Sequence, residues 1–280
     1  MGAHSNIVTQ HWDPDFLGRS PMFEPLRWVA AELRMSDWPS LEDLQRLAAA
    51  RERPILTAGG APLTFVAQGA RPRRAADRYE ARIYSRGEVQ VRHANGHDLL
   101  NALVWLTFPR AKAALNARHY HALLAQQANG ARNRGPVQDA LTLFDEGGVI
   151  VAASDTELLR HIERFAWKDL FWRERTRVAS SMRFYLFGHA LYEKALAPFS
   201  GITGRGILLE TAADLFAAPI EVQIDAFDHM IAERLRDPAW LRSTRDLAPL
   251  PILGVPGWCV ENESASYYDD AGYFRPGRAG

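Results

Sequence analysis

The chain predicts a helix-rich α+β domain holding a small antiparallel or mixed sheet. Three features predict it. Apolar residues recur at helical spacing through most of the sequence, short β-branched and aromatic runs interrupt them, and no polar linker is long enough to separate domains. The 280 residues are therefore read as one domain over 1–280, and with 47% hydrophobic and 24% charged side chains they can fill one core.

The elements follow in order. Pro21 to Arg34 predicts a helix, capped by Ser20, with Phe23, Leu26, Trp28, Val29 and Leu33 as its apolar positions. Ser36 to Pro39 breaks it. Ser40 caps a second helix over Leu41 to Arg51, with Glu42 and Asp43 in the first turn where the helix dipole favours acids. A glycine loop (Thr57 to Pro62), a short strand (Thr64 to Val66) and a basic loop (Gln68 to Asp77) come next. Tyr79 to Tyr84 and Glu88 to Arg92 read as a hairpin around Ser85-Arg86-Gly87. Asn95-Gly96 turns the chain, and Asp98 is the expected N-cap of a helix over Leu99 to Thr107. Pro109 opens the next helix, since proline is tolerated in a first turn, and it runs to about Gln127. The stretch up to Pro136 (ARNRGP) reads as a basic linker. Ala140 to Phe144 and Val149 to Ala152 read as a second hairpin around Asp-Glu-Gly-Gly. Helices are expected at Asp155–Phe165, Lys168–Ser180, Gly188–Ala197, Thr211–Phe216 and Pro219–Arg236, with a strand at Gly204–Leu209. From about residue 245 the sequence reads as Pro/Gly-punctuated, aromatic-rich coil.

Composition excludes several roles. Lys+Arg and Asp+Glu both number 33, so the balanced charge argues against a protein that coats nucleic acid or an anionic membrane. No apolar run approaches the length of a membrane span. One cysteine, Cys259, allows neither an intrachain disulfide nor a multi-thiolate zinc knuckle, and the N-terminus has no secretory pattern, so a cytoplasmic setting is expected. P-loop, dinucleotide-binding, nucleophile-elbow and His-Glu-x-x-His motifs are absent, and the cofactor is left unknown.

The chemistry gathers between Glu88 and Gln126. His97 and Asn101 are four apart and share a helix face. Lys112, Asn116 and His119 project within roughly 60° of one another on the next helix, bordered by Leu115 and Leu123. An imidazole moves protons near neutral pH, and an amine holds an anionic substrate as a point charge. The plainer alternative is a solvated helix face, with Asp98 a cap and His97 a turn residue. His189 and Glu193 are also four apart, so a carboxylate can orient an imidazole there, either as an acid–base dyad or as a structural pair. Asp139, Asp145 and Glu146, with His97, His119 or His189, can complete an oxygen- and nitrogen-rich metal site, Asp98 and Asp145 being candidate ligands. The bland reading of those acids is a hairpin turn, as it is for Asp269-Asp270. Cys259 reads as a packed thiol, and the Gly201–Gly206 loop as a connecting turn rather than a phosphate cradle.

A strand–turn–strand–helix carrying His and Asn invites comparison with the ββα-metal nucleases, but the paired His and the Asp-Arg-Gly-His run of that motif are missing. Longer blocks carry a different resemblance: HDLLNALVWLTFPRAKAALNARHY, DALTLFDEGGVIVAASD, FGHALYEKALAPFSGITG, LAPLPILGVPGW and the YYDD…YFRPGR tail. These resemble the proteobacterial family catalogued as domain of unknown function 3025, over roughly residues 11 to 278. The resemblance implies one intact cytoplasmic bacterial domain and no known activity. Two functions stay open. One is a hydrolase or transferase for a small anionic or phosphorylated substrate: His97, His119, His189 and Glu193 would do the chemistry, and Lys112, Asn101 and Asn116 would hold the substrate. The other is a binding or assembly protein, with homo-oligomerisation left open, that uses Trp258, Tyr267, Tyr268, Tyr273 and Phe274.

Overall fold

The computed structural model describes residues 12–33, 36–69, 78–130 and 133–277, so most of the expected basic loop before Arg78, and the start of the linker before Pro136, lie outside the described residues. In chain order its helices and strands are α1 (Glu24–Ala30), α2 (Leu41–Ala49), β1 (Thr64–Ala67), α3 (Tyr79–Arg86), β2 (Glu88–Val91), α4 (Gly96–Thr107), α5 (Pro109–Ala128), α6 (Pro136–Gly147), β3 (Gly148–Ala153), α7 (Thr156–Glu163), α8 (Arg175–Ser181), β4 (Met182–Leu186), α9 (His189–Ala195), β5 (Thr203–Glu210), α10 (Ile220–Arg236) and β6 (Ala248–Pro251).

The main sheet is mixed, in the order β4-β3-β5-β6. β3 runs parallel to β5, and the outer strands pair antiparallel. Every residue of β3 is buried, which explains a run of six small and β-branched residues with no polar face. β1 and β2 form a separate parallel pair. α4 is buried nearly all round, from Leu99 to Thr107. It packs against α1, α5, α9 and β2 and forms the central post of the helical layer. The fold is thus α+β and helix-rich, as expected.

Both expected hairpins are corrected. Tyr79–Arg86 is a helix: Gly87 ends it in the left-handed region (φ 72°), and its N–H bonds Ile83 O at 2.9 Å. A Cβ at Gly87 would stand 1.9 Å from Pro62 O, so only glycine lets the chain pass there into β2. The alternation of Tyr79, Ala81 and Ile83 mimics a strand, but the glycine stop signal decides for helix. The strand–turn–strand–helix order that invited comparison with the ββα-metal nucleases is therefore not formed. Likewise Pro136–Gly147 is a helix, with Pro136 in its first turn and Gln138 accepting from Gly135 N at 3.1 Å. Only the second half of that expected hairpin, now β3, is a strand.

Other boundaries shift less. Lys168–Ser180 divides into a π-helical turn at Asp169–Arg173 and α8, and Met182–Leu186 is a strand that the aromatic run concealed. The C-terminal segment includes β6, and its rings turn inward. Tyr268, Tyr273 and Phe274 are buried, with Tyr268 against Phe171 and the Tyr273 hydroxyl donating to Ile202 O at 2.8 Å. Cys259 is a packed thiol, with Sγ 3.2 Å from Leu253 O and its pKa raised by burial. No helix among the described residues is long and apolar enough to cross a membrane.

Candidate functional site

The site is built from one face of each of several helices. α4 presents His97, Asp98, Asn101 and Trp105, and α5 presents Lys112, Leu115, Asn116 and His119. α6 presents Thr142, Asp145 and Glu146, α3 adds Tyr79, Glu80 and Ile83, and α9 begins with His189. With Gln90, Arg92 and Arg134 these line a cavity of about 260 Å³. The spacings are those of a helix face, at i, i+4 and i+8 on α4 and i, i+3 and i+4 on α6. A larger cavity of about 640 Å³, between Trp28, Arg51, Arg110 and Asp225, contains no histidine.

Two imidazoles meet on the wall of the smaller cavity. His97 Nε2 lies 3.1 Å from His189 Nε2, with ring centres 4.5 Å apart in an edge-to-face arrangement. His97 Nδ1 lies 3.0 Å from Glu193 Oε2. Glu146 Oε2 lies 3.5 Å from His189 Nε2. Glycines make this convergence possible. A Cβ on Gly188 would stand 2.5 Å from Glu146 O and 2.4 Å from Gly148 N, and Gly188 N donates to Gly148 O at 2.9 Å. The turn into α9 is therefore pressed against the end of α6, which brings His189 beside Glu146.

Beneath the imidazoles lies an ion pair between a buried amine and a part-buried carboxylate. Lys112, 2% exposed, bonds Asp145 and donates to Asn101 Oδ1 at 3.0 Å, and Asn101 Nδ2 in turn donates to the Tyr79 hydroxyl at 2.8 Å. Asn116 Nδ2 donates to Glu80 O at 3.0 Å, whereas its buried Oδ1 has no hydrogen-bond partner, and nor does His189 Nδ1. Arg92 holds Asp98 through two guanidinium nitrogens. Arg134 reaches the Thr142 hydroxyl at 3.5 Å.

The electrostatics separate the histidines. The hydrogen bond to Glu193 holds the His97 imidazole above its ordinary pKa, and the same contact holds Glu193 below the usual carboxylate value. Burial pushes His189 down to about 4, so that ring is neutral, and burial also lowers His119. Burial is the strongest influence on Asp145 and works to raise it, but the Lys112 charge, the Lys112 hydrogen bond and the nearby imidazoles together outweigh it, and the net shift is downward. Burial and the Asp145 charge raise Glu146.

Of the candidate residues named from the sequence, His97, Asp98, Asn101, Lys112, Asn116, His119, Asp145, Glu146 and His189 line the cavity, and Glu193 braces His97 from behind. Three expectations change. Asp98 is not the N-cap. Asn95 is, accepting from Asp98 N at 3.0 Å, which leaves Asp98 in the first turn to hold Arg92. His189 and Glu193 do not pair, because the buried His189 turns towards the cavity while Glu193, a turn later, points to α4. Lys112 is already neutralised by Asp145. Asp139 is exposed and away from the cavity, Asp269 pairs with Lys168 at 2.6 Å, and Asp270 accepts from Gly272 N. Sequence reasoning misses Tyr79, Trp105, Thr142 and Arg134. Reading the α6 segment at helical spacing would show Thr142 on one face with Asp145 and Glu146.

No curated protein and no solved structure matches the chain. A family model described as "Protein of unknown function (DUF3025)" matches residues 63–278, a span that contains every residue of the cavity. The chain therefore belongs to the DUF3025 family.

Proposed function

We propose that the cavity is the active site of a hydrolase or transferase for a small polar substrate that carries an anionic group such as phosphate. The observation that supports the reading is the pair of imidazole nitrogens 3.1 Å apart on the wall of a polar cavity, one ring braced by a carboxylate. A cavity of about 260 Å³ limits the substrate to a small molecule. His97, oriented by Glu193, acts on the attacking hydroxyl or water. Lys112, Asp145 and Asn101 fix the floor of the site, with Lys112 reinforcing rather than providing the charge that meets the substrate. The Asn116 oxygen, unspent within the protein, accepts from the substrate. The anionic group belongs at the Arg134 end, where the guanidinium is met by a hydroxyl rather than a carboxylate. The lone thiol, Cys259, fits work in a reducing cytoplasm.

The test is a ligand and turnover screen on the purified protein. Inorganic phosphate, phosphomonoesters and small carboxylates are scored by thermal shift, and p-nitrophenyl phosphate and p-nitrophenyl acetate by release of the nitrophenolate. The expected result is a shift with an anionic probe, and turnover that falls at least ~100-fold in His97→Ala with the fold intact. Wild-type behaviour of both His97→Ala and His119→Ala towards every probe that binds, or no binding at all, defeats the reading.

A further inference from the structure

We propose that His97 Nε2, His189 Nε2 and a carboxylate oxygen of Glu146 form a three-ligand site for a divalent transition-metal ion, with zinc as the reference ion. The first argument is spacing. The two ring nitrogens are 3.1 Å apart, Glu146 Oε2 is 3.5 Å from His189 Nε2, and one donor atom from each of the three residues falls within a 4.8 Å group. Ligands about 2.1 Å from a zinc ion at tetrahedral angles stand about 3.4 Å from one another. Among the described residues this is the one group of three or more His, Cys, Asp or Glu donors gathered so closely.

The second argument is proton accounting. A neutral imidazole carries one proton. If His97 donates Nδ1–H to Glu193, its Nε2 presents a lone pair to His189. For His189 to donate from Nε2, its buried Nδ1 must become an acceptor, and no donor meets it. If His189 instead carries its proton on Nδ1, two lone pairs face each other at 3.1 Å, a repulsive contact unless a cation accepts both. A metal ion resolves the conflict. It uses both Nε2 lone pairs and leaves His97 Nδ1–H on Glu193, the hydrogen bond through which a carboxylate commonly orients a metal-bound imidazole. The rival account is a single extra proton shared between the rings.

The ligand set is two imidazoles and one carboxylate, drawn from α4, α6 and α9, and all three residues line the cavity. Three protein ligands beside a cavity leave room for water or substrate, which is the pattern of catalytic rather than structural zinc. With the ion bound, His97 would serve as a ligand rather than as a base, and the ion's Lewis acidity would take over the activation of water that the proposed activity needs. The inference concerns the same cavity as that activity but is read by binding alone, so either can fail without the other.

The test uses full-length protein dialysed against EDTA and then titrated with zinc chloride by calorimetry, and with cobalt(II) chloride followed by visible absorption. Expected are one zinc per chain, cobalt d–d bands of low coordination number, and a loss of affinity of at least ~100-fold in His97→Ala and Glu146→Gln. Glu193→Gln, acting through His97, should lose ~10–100-fold, and Asp214→Asn, at an exposed position in the short turn Ala213–Ala217 outside the cavity, should bind as wild type. X-ray absorption at the zinc edge of the wild-type protein, which needs no variant to fold, should show two imidazoles and oxygen with no sulfur. A stoichiometry well below one, wild-type affinity in His97→Ala, or an absorption spectrum with fewer than two imidazoles overturns the proposal and leaves the shared proton as the account of the pair.

Discussion

His97 Nδ1 lies 3.0 Å from Glu193 Oε2, so a carboxylate on α9 clamps a ring in the first turn of α4. The contact raises the imidazole pKa and lowers that of the carboxylate. In metal-free protein the His97 ring should therefore titrate above its ordinary value, and Glu193→Gln should bring it down. The raised His97 stabilises the fold below the imidazole's unfolded value and loses this as pH rises. The depressed Glu193 stabilises above the carboxylate's unfolded value and loses this as pH falls. The pair thus contributes most between the two. Histidine NMR titration of both proteins checks it, and identical His97 curves would refute it.

Lys112 is buried and forms an ion pair with Asp145, a part-buried carboxylate on the cavity wall. Lys112→Met should cost about 1–3 kcal/mol, because it leaves a part-buried carboxylate without its counter-charge. Lys112→Met combined with Asp145→Leu should recover most of that loss. Urea unfolding of the two variants decides it, and a double variant no more stable than the single one argues against the pair as the cause.

Asp228, 1% exposed, accepts Ala111 N at 2.8 Å and Arg110 N at 3.1 Å, and so caps α5 from α10. Burial nevertheless raises its pKa to about 6. Between the ordinary carboxylate value and 6 the folded chain keeps a proton that the unfolded chain has released, so stability falls as pH rises through this range. The loss is on the order of 3 kcal/mol at full ionisation. Asp228→Asn, which cannot ionise, should lack that slope. Parallel stability curves for the two proteins from pH 4 to 7 would contradict it.

Gly188→Ala should cost roughly 1–3 kcal/mol by overpacking the turn against Glu146 and Gly148. It should also displace His189 from His97. Thermal unfolding reports the first effect, and the crystal structure of the variant, or loss of the ring contact by NMR, reports the second. An unchanged melting temperature would show that the turn yields more easily than the close contacts imply.

The sequence disclosed the polar centre better than the strands. Lys112, Asn116 and His119 share a stripe whose direction follows from 3.6 residues per turn, and all three line the cavity. His97 and Asn101 are legible in the same way. Tyr79–Arg86 and Pro136–Gly147 mislead at a period of two residues because short segments of either type can alternate. That misreading leaves Asp145 and Glu146 in a turn rather than on a helix end. The crossing of Glu193 to His97 is not legible either, since it depends on how α9 docks against α4 and not on spacing within α9. The role of Asp228 is hidden for the same reason: its partners lie on α5, far away in the chain.

The parallel pairing of β3 with β5 has a consequence for biogenesis. Between Ala153 and Thr203 the chain makes β4 and α9 before returning to β3's other edge, and both His189 and Glu193 lie on that excursion. A ribosome-bound chain that has emitted α3 to α6 but not yet α9 holds most of the pocket lining without the segment that carries His189 and Glu193. The imidazole pair is therefore an assembly product rather than a property of one helix, and chains ending before α9 should lack it even where α3 to α6 have formed.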